Sequence, residues 1–126
     1  MLGAGDEALI EFPTYEVLPN LARFTGATVT RFSRLPEENW ALDPDRIARL
    51  MTQKTKLVML TNLHNPSSTL TDESALVEIG KIAARYHAHV LVDEVYLDCA
   101  WDQPRRSAFH LGPFDRFVRQ YPVPSV

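Results

Sequence analysis

The chain has 126 residues, a formal net charge of −3 and 45% apolar residues, enough for one small domain with its own core. No basic stripe accompanies that charge, so nucleic acid and anionic membranes are not expected partners, and no apolar run approaches the roughly 18 residues of a membrane span. Cys99 stands alone, which rules out a disulfide framework or a cysteine-based metal site and favours a reducing compartment.

In chain order, "ALIEF" (8–12) is short, apolar and β-compatible, and Pro13 stops it. From Tyr15 to Phe24 the spacing of Val17, Leu18, Leu21 and Phe24 is helical, with Pro19 inside the first turn, where its missing N–H matters little. Gly26 closes that helix, and "ATVTRFS" (27–33) alternates like a half-buried strand. After a polar loop, Asp43 as N-cap, Pro44 at the first helical position and Asp45 in the first turn start a second helix. "KLVMLTN" (56–62) reads as a buried strand. "TDESALVEIGKIAARYH" (71–87) reads as a helix capped by Thr71, with Leu76, Ile79, Ile82, Ala83 and Tyr86 on one apolar face. "HVLVDEVY" (89–96) is the next strand. Beyond residue 99 the pattern is loop-like, with a short helix expected over 114–121.

The alternation of helices with apolar runs such as "LVML" and "VLV" predicts an α/β fold, a partial and mostly parallel sheet flanked by helices. In such sheets ligands bind beyond the carboxyl ends of the strands. Three ends carry unusual residues: "FPTY" (12–15), "NLHNPSS" (62–68) and "DEVY" (93–96). The last poses a physical problem. A strand apolar enough to be buried ends in Asp93 and Glu94, and burying a carboxylate costs several kcal/mol unless a cation or strong donors meet it. An apolar run before Asp-Glu also suits a P-loop NTPase, but the chain has no G-x-x-x-x-G-K-S/T. Taken singly, each residue has a plain structural reading. Asp93 can cap a loop, Asn65-Pro66 can be only a turn, and Tyr15 and Tyr96 can be core aromatics. Glu94 reads as a structural hydrogen-bonding partner, and Cys99 as a small buried hydrophobe. His64 is given no role, and the spacing of His87 and His89 does not support a metal site.

Together, "GDEALIEFPTYEVL", "TKLVMLTNLHNPSSTL" and "VLVDEVYLD" resemble, in order and separation, the pyridoxal-phosphate-dependent aminotransferases of class I/II. The resemblance spans roughly residues 5–100 and corresponds to the middle of the large domain of fold type I. It implies pyridoxal 5′-phosphate as cofactor, amino acid and 2-oxo acid substrates, and a homodimeric, cytoplasmic parent protein. It also implies roles for four residues. Asp93 would hold the protonated ring nitrogen in a charge-assisted bond, which answers the burial problem. Tyr96 and Asn65 would meet the 3′-oxygen, and Tyr15 would stack on the ring face. Other readings that share the cofactor are a C–S lyase, a decarboxylase or a regulator domain; a non-catalytic α/β nucleotide-binding or interaction domain is the reading from a different class.

The resemblance also marks what does not match. The family's Schiff-base lysine lies in an S/T-x-x-K motif after the D-E-x-Y strand, and none of Lys54, Lys56 and Lys81 fits it. No catalytic residue is therefore assigned. The phosphate-holding turn and the arginine for the substrate carboxylate are also unmatched. "NPSS" stands where the family has N-P-S/T-G, so Ser68 would be strained by about 1 kcal/mol if the turn needs positive φ. The expected organisation is a partial large domain over 1–113 and a divergent, irregular tail over 114–126, as in a truncated or frame-shifted piece of a longer sequence.

Overall fold

The computed structural model describes residues 2–101, 106–111 and 117–120. Four strands and three helices alternate before a last short strand: β1 (Glu7–Phe12), α1 (Val17–Phe24), β2 (Thr28–Ser33), α2 (Pro44–Leu50), β3 (Thr55–Thr61), α3 (Glu73–Arg85), β4 (His89–Asp93) and β5 (Phe117–Gln120). The strands form one sheet in the order β2-β1-β3-β4-β5, with every neighbouring pair parallel. The expected α/β class and parallel sheet are thus observed.

Period-two alternation assigns the faces. Leu9, Val58, Leu60, Val90 and Val92 point to the side covered by α2 and α3, where they meet Ile47, Leu76, Ile79 and Ile82. Ala8, Ile10 and Met59 point the other way, onto Leu18 and Ala22 of α1. The chain leaves β1 over one face towards β2 and returns over the other towards β3. The order of strands therefore reverses between β1 and β3, and the carboxyl ends there open a crevice.

Local chemistry explains most element ends. The Asp43 carboxylate accepts from the backbone N–H groups of Asp45 and Arg46, with Pro44 following, as expected. Gly26 has φ +85 just after α1, the left-handed geometry that glycine adopts freely. Two expectations are corrected. The N-cap of α3 is Asp72, whose side chain accepts from Ser74 N, because Thr71 is drawn inward. Its N–H donates to Asn62 Oδ1 at 3.0 Å and its hydroxyl accepts from buried Arg34 at 3.3 Å. The helix expected over 114–121 is replaced at 117–120 by β5, where Val90 pairs with Phe117 and Asp93 with Gln120. A four-residue segment has weak helical preference, and the open edge of β4 offers it a complete ladder. The remaining residues of the expected 114–126 tail lie outside the described residues.

Candidate functional site

Parallel pairing carries "FPTY", "NLHNPSS" and "DEVY" to the same end of three adjacent strands, β1, β3 and β4. The four residues singled out from sequence, Tyr15, Asn65, Asp93 and Tyr96, line one open pocket of about 320 Å³ together with Val95. A neighbouring pocket of about 350 Å³ shares Asn65 and Tyr96 and extends to Ser68 and Cys99. Tyr15 is 52% and Tyr96 54% exposed, so both are pocket walls rather than core aromatics. Cys99, expected to be buried, is exposed. It ends the short 3-10 turn Leu97–Cys99, which folds back at the pocket rim instead of continuing the strand.

Asp93 ends β4 half-buried. Its Oδ1 accepts from Val95 N at 3.1 Å, and Oδ2 has no partner among the described residues. Glu94 is the residue that the core takes in. Its carboxylate, 2% exposed, accepts from Ser107 Oγ at 2.6 Å and Ala108 N at 2.8 Å. It ties a distant turn to the strand end, the structural role read from sequence. Alternation explains the division: consecutive residues leaving a strand point to opposite sides, one to the crevice and one to the interior.

Beneath the pocket lies a network that the sequence did not disclose. Glu11 is fully buried near the end of β1, where its Oε1 accepts from the N–H and the hydroxyl of Thr61, each at 2.6 Å. Its Oε2 meets Arg34 Nη1 at 3.1 Å, with both side chains at 0% exposure. Arg34 also donates to Trp40 O at 2.7 Å and to Thr71 Oγ1. Burial pushes the Glu11 carboxyl above the ordinary carboxylate range and pulls Arg34 down, while the Thr61 and Arg34 bonds oppose the first and the ion pair opposes the second. Glu11 stood inside the β-compatible run "ALIEF" and Arg34 in a polar loop, so only the alternation of β1 could have hinted that Glu11 faces inward.

Thr61 passes this order to the pocket, since its hydroxyl also accepts from Asn65 N at 2.8 Å. His64, given no role from sequence, is 1% exposed, with Nε2 2.9 Å from Pro13 O and Nδ1 2.6 Å from Ser67 Oγ. Desolvation first, and the Arg34 charge second, lower its pKa to about 4. Ser68 has φ +60, the strained geometry foreseen for a serine at a glycine position. The lysines lie elsewhere. Lys54 and Lys56 sit at the amino end of β3, and Lys81 on the outer face of α3, 3.2 Å from Glu78.

Comparison with known proteins agrees with this geometry. Residues 1–118 match the family model for aminotransferase class I and II. The chain is 29% identical over 113 residues to the aspartate/prephenate aminotransferase of Thermus thermophilus, covering 90% of this chain and 29% of that protein. It is 35% identical over 97 residues to the histidinol-phosphate aminotransferase of Methanocella arvoryzae, covering 77% and 26%. Among solved structures, a tetra mutant of Thermus thermophilus aspartate aminotransferase superposes with a TM-score of 0.89 at 25% identity, covering 95% of this chain and 33% of that one. An alanine aminotransferase from Pyrococcus furiosus gives 0.82 at 32% identity, covering 89% and 28%. The chain thus spans about a third or less of the proteins it matches. With its sheet, its strand-end motifs and these matches in agreement, the chain belongs to the class I and II aminotransferase family.

Proposed function

We propose that this chain forms the cofactor-binding part of a pyridoxal-phosphate-dependent aminotransferase, in which an amino group passes between an amino acid and a 2-oxo acid. The observation that carries the reading is the convergence of Tyr15, Asn65, Asp93 and Tyr96 on one pocket. The Asp93 Oδ2, the Asn65 amide and both tyrosine hydroxyls have no partner among the described residues, so the polar atoms that would recognise a ligand remain free to do so. An anionic carboxylate, two donors and an aromatic face fit a pyridinium ring with a 3′-oxygen.

When bound, pyridoxal phosphate supplies an electron sink for the pair left at the substrate carbon. The protein's part is to orient and to tune. Asp93 would keep the ring nitrogen protonated, its carboxylate braced by Val95 N. Tyr96 and Asn65 would donate to the 3′-oxygen, and Tyr15 would fix the plane of the ring by stacking. Proton transfer at the substrate carbon requires a lysine, and the chain places none at this pocket, so the 126-residue protein is catalytically silent by itself. The complete enzyme would work as a homodimer in the cytoplasm; among the described residues no helix is long and apolar enough to cross a membrane.

Equilibrium dialysis tests this reading. Pyridoxal phosphate should bind saturably to the chain, ATP with magnesium should not, and Asp93→Ala should remove the binding. ATP binding without pyridoxal phosphate binding would favour a nucleotide-binding domain. Measurable transamination by the purified chain, abolished by Asp93→Ala, would overturn the claim of silence.

A further inference from the structure

The two walls of the pocket come from segments far apart in sequence, Tyr15 from the turn after β1 and Asn65 from the turn after β3. Among the described residues, one hydrogen bond joins residues 13–16 directly to residues 62–69, and it is made by His64. Pro13 O can only accept, so the imidazole donates to it from Nε2, while Nδ1 stands 2.6 Å from Ser67 Oγ, a hydroxyl that also donates to Thr69 Oγ1 at 2.9 Å. Ser67 Oγ in turn accepts from Thr69 N at 3.3 Å. The backbone of His64 closes the same turn, its N–H donating to Thr69 O at 2.9 Å and its carbonyl accepting from Ser68 N at 2.7 Å. The ring lies 5.7 Å from that of Trp40, tilted by 35°. Pro13 stands two residues before Tyr15, and Asn65 directly follows His64.

We propose that His64 is a positioning residue for this pocket: its imidazole is a rigid spacer that sets the distance between the Tyr15 wall and the Asn65 wall. The inference rests on the cofactor reading above and deepens it. A ring held by stacking on one side and by a hydrogen bond at its edge tolerates little error in that distance, since displacement of about 1 Å is enough to lose a well-formed site. A flat imidazole held at both ring nitrogens fixes the distance better than a flexible side chain, and its burial confines it there.

The test uses the full 126-residue chain with pyridoxal phosphate as the probe. Affinity is measured by equilibrium dialysis, stability by denaturant unfolding, and loop order by amide hydrogen exchange. His64→Gln retains a donor and an acceptor and should bind within about threefold of the unaltered chain. His64→Phe keeps the volume but loses both bonds. It should bind about tenfold more weakly, with faster exchange in residues 14–16 and 65–69. Ile79→Val, on α3 and remote from the pocket, should lower stability with the affinity unchanged, which separates positioning from general destabilisation. Equal binding by His64→Phe and the unaltered chain overturns the proposal, as does an equal loss in Ile79→Val. If the unaltered chain binds no pyridoxal phosphate, or Asp93→Ala binds as well, the cofactor reading fails. The spacer is then judged by exchange alone: loops loosened in His64→Phe and not in His64→Gln support it, and unchanged loops overturn it. Should His64→Phe not fold, nitrogen NMR of the unaltered chain decides. A ring that carries a proton on Nε2 supports the bridge; a ring with no proton on Nε2 at neutral pH overturns it.

Discussion

Two carboxylates near the carboxyl ends of parallel strands, Glu11 and Asp93, have opposite surroundings. Glu11 is closed off entirely, with Thr61 supplying two donors and Arg34 the counter-charge. Asp93, two strands away in the same sheet, is half-buried and, among the described residues, its carboxylate holds a single bond, from Val95 N. The first has nothing left to offer a ligand; the second lines a pocket and keeps an oxygen without a partner among the described residues. Buried charge is therefore a poor guide to function in this molecule, and incomplete satisfaction beside a cavity is the better one. The contrast extends to the neighbours. Thr61 and Thr71 belong to the closed network and Tyr15, Asn65 and Tyr96 to the open pocket, with His64 buried between the loops that carry Tyr15 and Asn65.

If that division is correct, changes in the closed network cost stability and changes in the pocket cost binding. The largest effect should come from Arg34→Met, which strands the Glu11 charge in the interior. A loss of about 3–5 kcal/mol is expected in denaturant unfolding, and a loss below about 1 kcal/mol would break the comparison. Acid titration comes next. His64 has a folded pKa of about 4, below the ordinary 6.5, so between these values the unfolded chain binds more protons than the folded one. Stability should fall by roughly 3 kcal/mol as pH drops through that window, and His64→Gln should remove that part of the slope. Ser68→Gly relieves the φ of +60 and should stabilise the chain by about 1 kcal/mol in thermal or denaturant unfolding. Asp93→Asn should alter stability by less than about 0.5 kcal/mol while weakening pyridoxal phosphate at least tenfold. Equal stability losses for Arg34→Met and Asp93→Asn would erase the distinction between the two regions.

The pocket residues were legible through the family resemblance, whose motifs are local. A short motif at the end of an apolar strand marks its own position, and three such motifs in order leave little freedom. The closed network was not legible for the complementary reason. Glu11 and Arg34 are 23 residues apart, and Arg34 and Thr71 37, and nothing in either segment names its partner. The same limit explains the displaced cap of α3. Thr71 and Asp72 are both good N-caps, and the choice fell to Asp72 because Asn62 and Arg34 required Thr71. Cys99 was misplaced because burial at the end of a strand depends on where the chain turns next.

Whereas of the apolar spacing read in α1 only Leu18 is buried and Val17, Leu21 and Phe24 are exposed, sequence by itself determined the order of strands and helices through residue 93, the apolar face of α3 and the Asp43 cap. These follow from periodicities and caps within a few residues, where backbone geometry dictates which side chains share a face. Tertiary structure alone decided that Glu11 and Arg34 pair in the interior, that His64 joins two loops, that residues 117–120 extend the sheet, and that Glu94 is taken into the core while Asp93 lines the pocket. Each of these depends on groups distant in the chain meeting in a medium where an unpaired charge or N–H is too costly to leave.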